Sequence, residues 1–189
     1  MVRRYFLGGN TAQGFYSLYD GFCAGQADFL YVIKGGPGCG KSSFMRKIGK
    51  AAEDAGLDVE YVICSGDPDS LDGVYIPALH VGYVDGTSPH VVEPTLPAAG
   101  GAYVDLGRFY DSEAIKPERD KLESLTCAYK QAYQDAYADL REAKRLHDEL
   151  EAVYNPHVDF DGVYKLAQAH IARLDLENRH CKNGENGVE

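Results

Sequence analysis

Residues 35–43, GGPGCGKSS, hold the residue types that grip a phosphate chain. Gly35, Gly36, Pro37, Gly38, Cys39 and Gly40 leave backbone N–H groups open to anionic oxygens, because side chains there would block close approach. Lys41 is long enough to reach the β- and γ-phosphates of a nucleotide, and the Ser42 hydroxyl is a hard oxygen ligand suited to Mg²⁺. Ser43 adds a hydroxyl in the same first helical turn. The spacing Gly-x-x-x-x-Gly-Lys-Ser is complete, but it signifies a cradle only between a buried strand and a helix.

Both flanks fit. DFLYVIK (28–34) is a short apolar run rich in aromatic and β-branched residues and predicts a buried strand. KSSFMRKIGKAAEDAG (41–56) spaces Phe44, Ile48 and Ala51 or Ala52 at helical intervals, with Gly56 as the stop. DVEYVIC (58–64) predicts a second strand, which completes a βαβ unit. A third strand is expected over Leu79 to Val84, and Pro77 argues against one continuous strand from Val74. GGNTAQG (8–14) predicts a loop leading into a helix around Phe15–Tyr19. Residues 87–111 carry no clear pattern.

A metal beside the cradle needs a carboxylate. Asp85 ends an apolar strand, where such sheets place ligand groups, and is the first choice with Ser42; Asp67, Asp69 and Asp72 compete for the role. Gly86 follows Asp85 where many P-loop ATPases carry a Glu that orients the attacking water. His90 is the substitute nearest in sequence, so Lys41, Asp85 and His90 form the expected catalytic set. Arg46, Arg108 and Arg119 could approach a γ-phosphate. No guanine-reading Asn/Thr-Lys-x-Asp stretch occurs, which leaves adenine, and hence ATP with Mg²⁺, by elimination.

From Pro117 the texture changes. Leu122, Leu125, Tyr129, Ala132, Ala136, Leu140, Ala143, His147, Leu150 and Tyr154 recur in steps of three and four and predict one long helix to Tyr154, about 57 Å. Asn155-Pro156 ends it. A second helix is expected over 162–178, pairing with the first as an antiparallel hairpin. The expected domains are therefore 1–111 for nucleotide binding, 112–178 for the hairpin and 179–189 as a polar tail.

The chain has 189 residues, 44% of them hydrophobic, and a net charge of −10 shared equally between 1–111 and 112–189. That balance disfavours nucleic acid as a partner. No stretch approaches the roughly 20 apolar residues that span a bilayer. The five scattered cysteines form no C-x-x-C pair, so free thiols and a cytoplasmic location are expected.

Four separated stretches carry a resemblance: YFLGGNTAQGFYSLYDGF, IKGGPGCGKSSFMRKIG, DPDSLDGVYIP and VDGTSPHVVEP. In this order they resemble an uncharacterised, mainly Gram-positive bacterial family of P-loop ATPases, from Tyr5 to about residue 175. The resemblance implies ATP binding and a cytoplasmic setting, and adds weight to Asp72 and His90. Family members carry two P-loop halves joined through a helical region, and this chain resembles the N-terminal half. Self-association or a second P-loop half is the partner this implies.

The expectation is a three-layer α/β P-loop NTPase domain with a parallel sheet, followed by a helical hairpin. Its expected activity is Mg²⁺-dependent ATP hydrolysis coupled to a conformational or assembly change. A small-molecule or nucleotide kinase, and a nucleotide-regulated interaction module without significant turnover, are the alternatives.

Overall fold

The computed structural model describes residues 1–88, 91–94 and 96–174. The chain divides into two units, Met1–Ala143 and Lys144–Glu189.

The first unit is built on a six-stranded sheet. In chain order its elements are β1 (Val2–Tyr5), a hairpin of β2 (Gly8–Thr11) and β3 (Gly14–Ser17), β4 (Phe29–Lys34), α1 (Lys41–Asp54), β5 (Val59–Ile63), β6 (Leu71–Ile76), β7 (Val81–Asp85), β8 (Gly101–Asp105) and the single turn α2 (Ser112–Ile115). The main sheet runs β1-β5-β6-β7-β4-β8, with β2 and β3 paired separately. The expected parallel sheet is corrected here: β6 runs antiparallel to both its neighbours, so the sheet is mixed. Pairings β1–β5, β4–β7 and β4–β8 are parallel.

Alternation along the strands separates two cores. Ile33, Val59, Tyr61, Val74 and Ile76 meet Met45 and Ala52 of α1 on one face. Leu30, Val32, Val62 and Val84 project to the other face. There they are covered by Tyr19 and Phe22, with Leu7, Phe15 and Cys23 packed alongside. The helix expected around Phe15–Tyr19 is instead β3 and a 3-10 turn over Tyr19–Gly21. Gly14, at φ +106°, closes the hairpin after Ala12 and Gln13, and Phe15 feeds the core.

α1 ends as its sequence predicts. Gly56 sits at φ +78°, its N–H bonds to Glu53 O, and the Leu57 N–H bonds to Ala52 O. This is a Schellman stop, which favours glycine. Pro77 opens a 3-10 turn over Pro77–Leu79 and so separates β6 from β7.

The long helix α3 spans Arg119–Tyr154. Three of its tyrosines, Tyr129, Tyr133 and Tyr137, fall within the first unit. Tyr129 and Tyr133 meet edge to face at 4.9 Å, and the Tyr137 hydroxyl donates to Asn10 Oδ1 at 2.9 Å on β2. In the second unit, α3 ends at a 3-10 turn over Asn155–His157, and α4 (Phe160–Arg173) follows with Asp159 capping its N-terminus. Leu150, Val153, Phe160, Val163 and Leu166 are exposed there. No described helix is long and apolar enough to cross a membrane. The expected tail, 179–189, lies outside the described residues.

Candidate functional site

The glycine loop leaves β4 at Lys34 and enters α1 at Lys41. Gly38 at φ +75° and Gly40 at φ +88° adopt left-handed backbone that a side chain disfavours. Gly35 is also crowded: a Cβ there would lie 2.6 Å from Cys39 Sγ. Gly36 faces the Tyr110 hydroxyl, which donates to Pro37 O at 3.0 Å. Tyr110 thus buttresses the loop from the segment after β8. Gly40 is the N-cap of α1 and carries no side chain to cap its first N–H groups. That helix end therefore presents backbone donors and a positive dipole to the loop.

Lys41 folds over the loop. Its Nζ donates to Gly35 O at 2.8 Å and Gly36 O at 3.1 Å, and stands 3.6 Å from Asp85 Oδ2. Asp85 arrives there because β7 lies directly beside β4, with Asp85 in register with Ile33. Its other oxygen accepts from the Thr87 N–H at 2.9 Å and the Thr87 hydroxyl at 2.6 Å. Ser42 Oγ accepts the Leu71 N–H at 2.9 Å. A hydroxyl oxygen has two lone pairs, so one stays free for a cation. Ser42 Oγ and the Asp85 carboxylate, whose oxygens face Thr87 and Lys41, are both hard oxygen groups of the kind Mg²⁺ takes. Cys39 is half-buried within the loop, and Ser43 is exposed on α1.

The other acids separate. Asp67 and Asp69 are exposed; Asp67 Oδ1 accepts the Asp69 N–H, and Asp69 O accepts from Arg46 at 2.6 Å. Both belong to the turn before β6. Asp72 is buried, at 5% exposure, and its Oδ2 accepts from the Tyr19 hydroxyl at 3.0 Å. The register explains its position. Val62 pairs with Gly73 and Ile63 with Leu71, so Asp72 is an extra residue on β6. Such a bulge re-aims the side chain it carries. Burial, then the charge of Asp72 and the bond to it, push the Tyr19 hydroxyl well above the usual phenol range; Cys64 and Asp85 add smaller pushes the same way. Burial likewise raises the Cys64 thiol, with Asp72 contributing. Asp72, Asp85, Tyr19 and Cys64 thus share one electrostatic neighbourhood beside the cradle.

The arginines are occupied elsewhere. Arg108 lies over the Phe109 ring at 5.3 Å, and Arg119 donates to Glu123 at 2.9 Å. His90 lies outside the described residues. Tyr19, Tyr110 and Thr87 join the site without a signal in the sequence spacing; each reaches it through the fold.

The site is a glycine-rich loop between β4 and α1 with Asp85 of β7 beside its lysine, on a mixed α/β sheet. Comparisons with family models, curated proteins and solved structures return no match.

Proposed function

We infer that the protein binds ATP with Mg²⁺ at the 35–43 loop and hydrolyses it, in a three-layer P-loop domain followed by a helical hairpin, within the cytoplasm. The observation that carries this reading is the convergence of Lys41, Ser42 and Asp85 on the loop: Lys41 Nζ is 3.6 Å from Asp85 Oδ2. Backbone amides of 35–43 and Lys41 would cradle the phosphates and stabilise charge on the transferring group. Ser42 and Asp85 would hold Mg²⁺, which supplies charge neutralisation and orientation of the phosphates. Coupling to a conformational or assembly change, through self-association or a second P-loop half, belongs to the same reading. Single-turnover phosphate release from MgATP tests it. Burst-free, substoichiometric release at saturating protein would instead support a nucleotide-regulated interaction module.

One observation favours phosphoryl transfer to a small molecule as a second reading. A cavity of about 670 Å³ is lined by Tyr110, Ile115, Lys116, Arg119, Leu122 and Lys130, among others. Tyr110 also touches the loop, so this cavity adjoins the cradle. Its apolar walls and Lys130 would suit an anionic acceptor, with Lys116 and Arg119 paired to Glu113 and Glu123. Transfer of the γ-phosphoryl to an added acceptor, rather than to water, would select this reading.

A further inference from the structure

The cavity beside the loop has a wall chemistry of its own. Arg119, Leu122, Glu123, Thr126, Cys127 and Lys130 recur at steps of three and four, so one face of α3 lines it for three turns. Tyr110 and Ile115 line it from the segment before α3. We propose that this cavity is a binding site for an amphipathic anion, an aliphatic chain with one anionic head, and that its occupancy tightens the loop on nucleotide. The site stands independently of the ATP reading, and it holds whether or not the occupant accepts a phosphoryl group. Its effect on nucleotide rests on that reading.

The space and its walls suit an apolar body. The volume, about 670 Å³, lies within the range of small-molecule sites. Tyr110, Ile115 and Leu122 are each more than a third exposed there, so an apolar chain laid on them removes surface from water. Charge selects the head. The lining carries three cations, Lys116, Arg119 and Lys130, against one acid, Glu123, which is +2 on a chain whose net charge is −10. Lys116 pairs with Glu113 and Arg119 with Glu123. Lys130 is therefore the lining cation without an acidic partner among the described residues. At the helical rise it stands about 12 Å along α3 from Leu122, the length of a chain of about ten carbons.

The link to the loop is Tyr110. Its ring lines the cavity, and its hydroxyl donates to Pro37 O at 3.0 Å. An apolar chain packed on the ring holds that pose, so part of the cost of ordering the loop is met before nucleotide arrives.

Sodium decanoate below its micellar range is the probe. The readout is the rate at which N-ethylmaleimide modifies Cys127, an exposed thiol in the lining, followed on its own peptide by mass spectrometry. Saturating decanoate should slow that modification by about tenfold or more, because a bound ligand covers most of such a site. Lys130→Gln should raise the half-protecting decanoate concentration roughly two- to fivefold, the scale of an exposed ion pair, and leave that of neutral decanol unchanged. Leu122→Asp, on an exposed stretch of helix, should abolish protection by both. Decanoate should also tighten MgATP binding about fivefold, the scale of one hydrogen bond. Tyr110→Phe keeps the ring and should remove that gain while Cys127 stays protected. Cys127 modification that decanoate does not slow overturns the site. Equal half-protecting decanoate in Lys130→Gln and wild type overturns the anionic head. Protection with no change in MgATP affinity overturns the link to the loop. A protein that binds no MgATP while decanoate still protects Cys127 refutes the ATP reading and the link, and supports the site.

Discussion

Gly49→Ala should destabilise the first unit although it replaces a poor helix former with the best one. In an open helix interior the change gains roughly 0.5–1 kcal/mol. Gly49, however, is buried on the face of α1 that lies on the sheet. A Cβ there would stand 2.4 Å from both Cε1 and the hydroxyl oxygen of Tyr61. Ordinary carbon contacts are about 3.5–4.0 Å, so the ring or the helix must move by more than about 1 Å. The ring cannot yield freely. Tyr61 is 4% exposed, its hydroxyl donates to Glu53 Oε1 at 2.6 Å, and the Arg4 guanidinium lies over it at 5.4 Å. Overpacking of this kind costs about 1–3 kcal/mol, and a broken hydrogen bond about 1 more. The net loss should be about 1–3 kcal/mol, a fall of roughly 3–10 °C in Tm for a chain of this size. Thermal and urea unfolding of the two proteins is the assay. Gly49→Ala/Tyr61→Val should recover part of the loss through coupling between the sites. An alanine variant as stable as wild type would refute the close approach of α1 to β5, and with it the placement of Lys41 and Ser42.

Two further predictions concern titrating groups. Burial pushes Asp28 upward, but the Gly25 N–H, the Tyr75 hydroxyl and His80 outweigh it and hold the carboxyl below the usual range. Its stabilisation is present above the unfolded value of about 3.9 and is lost as pH falls through the lower folded one; Asp28→Asn should therefore be less stable at pH 7 and decline less steeply below pH about 4, and urea midpoints that fall in parallel would contradict this. Burial pushes the Cys23 thiol up to about 12, so at pH 8 about 10⁻⁴ of it is thiolate, whereas Cys127 is exposed. A disulfide reagent should modify Cys127 in the native protein and reach Cys23 only on unfolding; equal rates would contradict the burial.

The glycine loop between β4 and α1 was legible because its parts are neighbours in sequence. Glycine spacing, the apolar run before it and the helical pattern after it need no knowledge of the rest of the chain. β4, α1 and β5 appear within a residue or two of their expected limits. Asp85 was legible for a similar reason, since it closes an apolar strand. The rest depends on distant pairing. β1 reads as polar, VRRY, because it is an edge strand with exposed side chains. β6 hid because Asp72 and Gly73 interrupt its apolar run, and its direction follows from the turn at Pro77. The mixed sheet and the placement of Asp72 are consequences of that one reversed strand. Gly8 to Ser17 looked like a loop and a helix because two glycine-rich four-residue strands carry too little alternation to declare themselves. Tyr19 joins Asp72 across 53 residues, and no local spacing signals such a pair.

The central claim is that the 35–43 loop is a nucleotide cradle with Asp85 at its metal end, and nucleotide affinity measured with Mg²⁺ and with EDTA tests it most directly. Lys41→Ala removes the one cation whose Nζ bridges Gly35 O, Gly36 O and Asp85 among the described residues. It should weaken ATP binding under both conditions by roughly 10- to 100-fold, the scale of a charge-assisted hydrogen bond. Asp85→Asn should keep or improve binding in EDTA, because a negative charge near the triphosphate is gone, and should lose the tightening that Mg²⁺ brings. Unchanged Mg²⁺ dependence in Asp85→Asn would move the metal away from Asp85. Unchanged affinity in Lys41→Ala, with and without metal, would contradict the cradle itself.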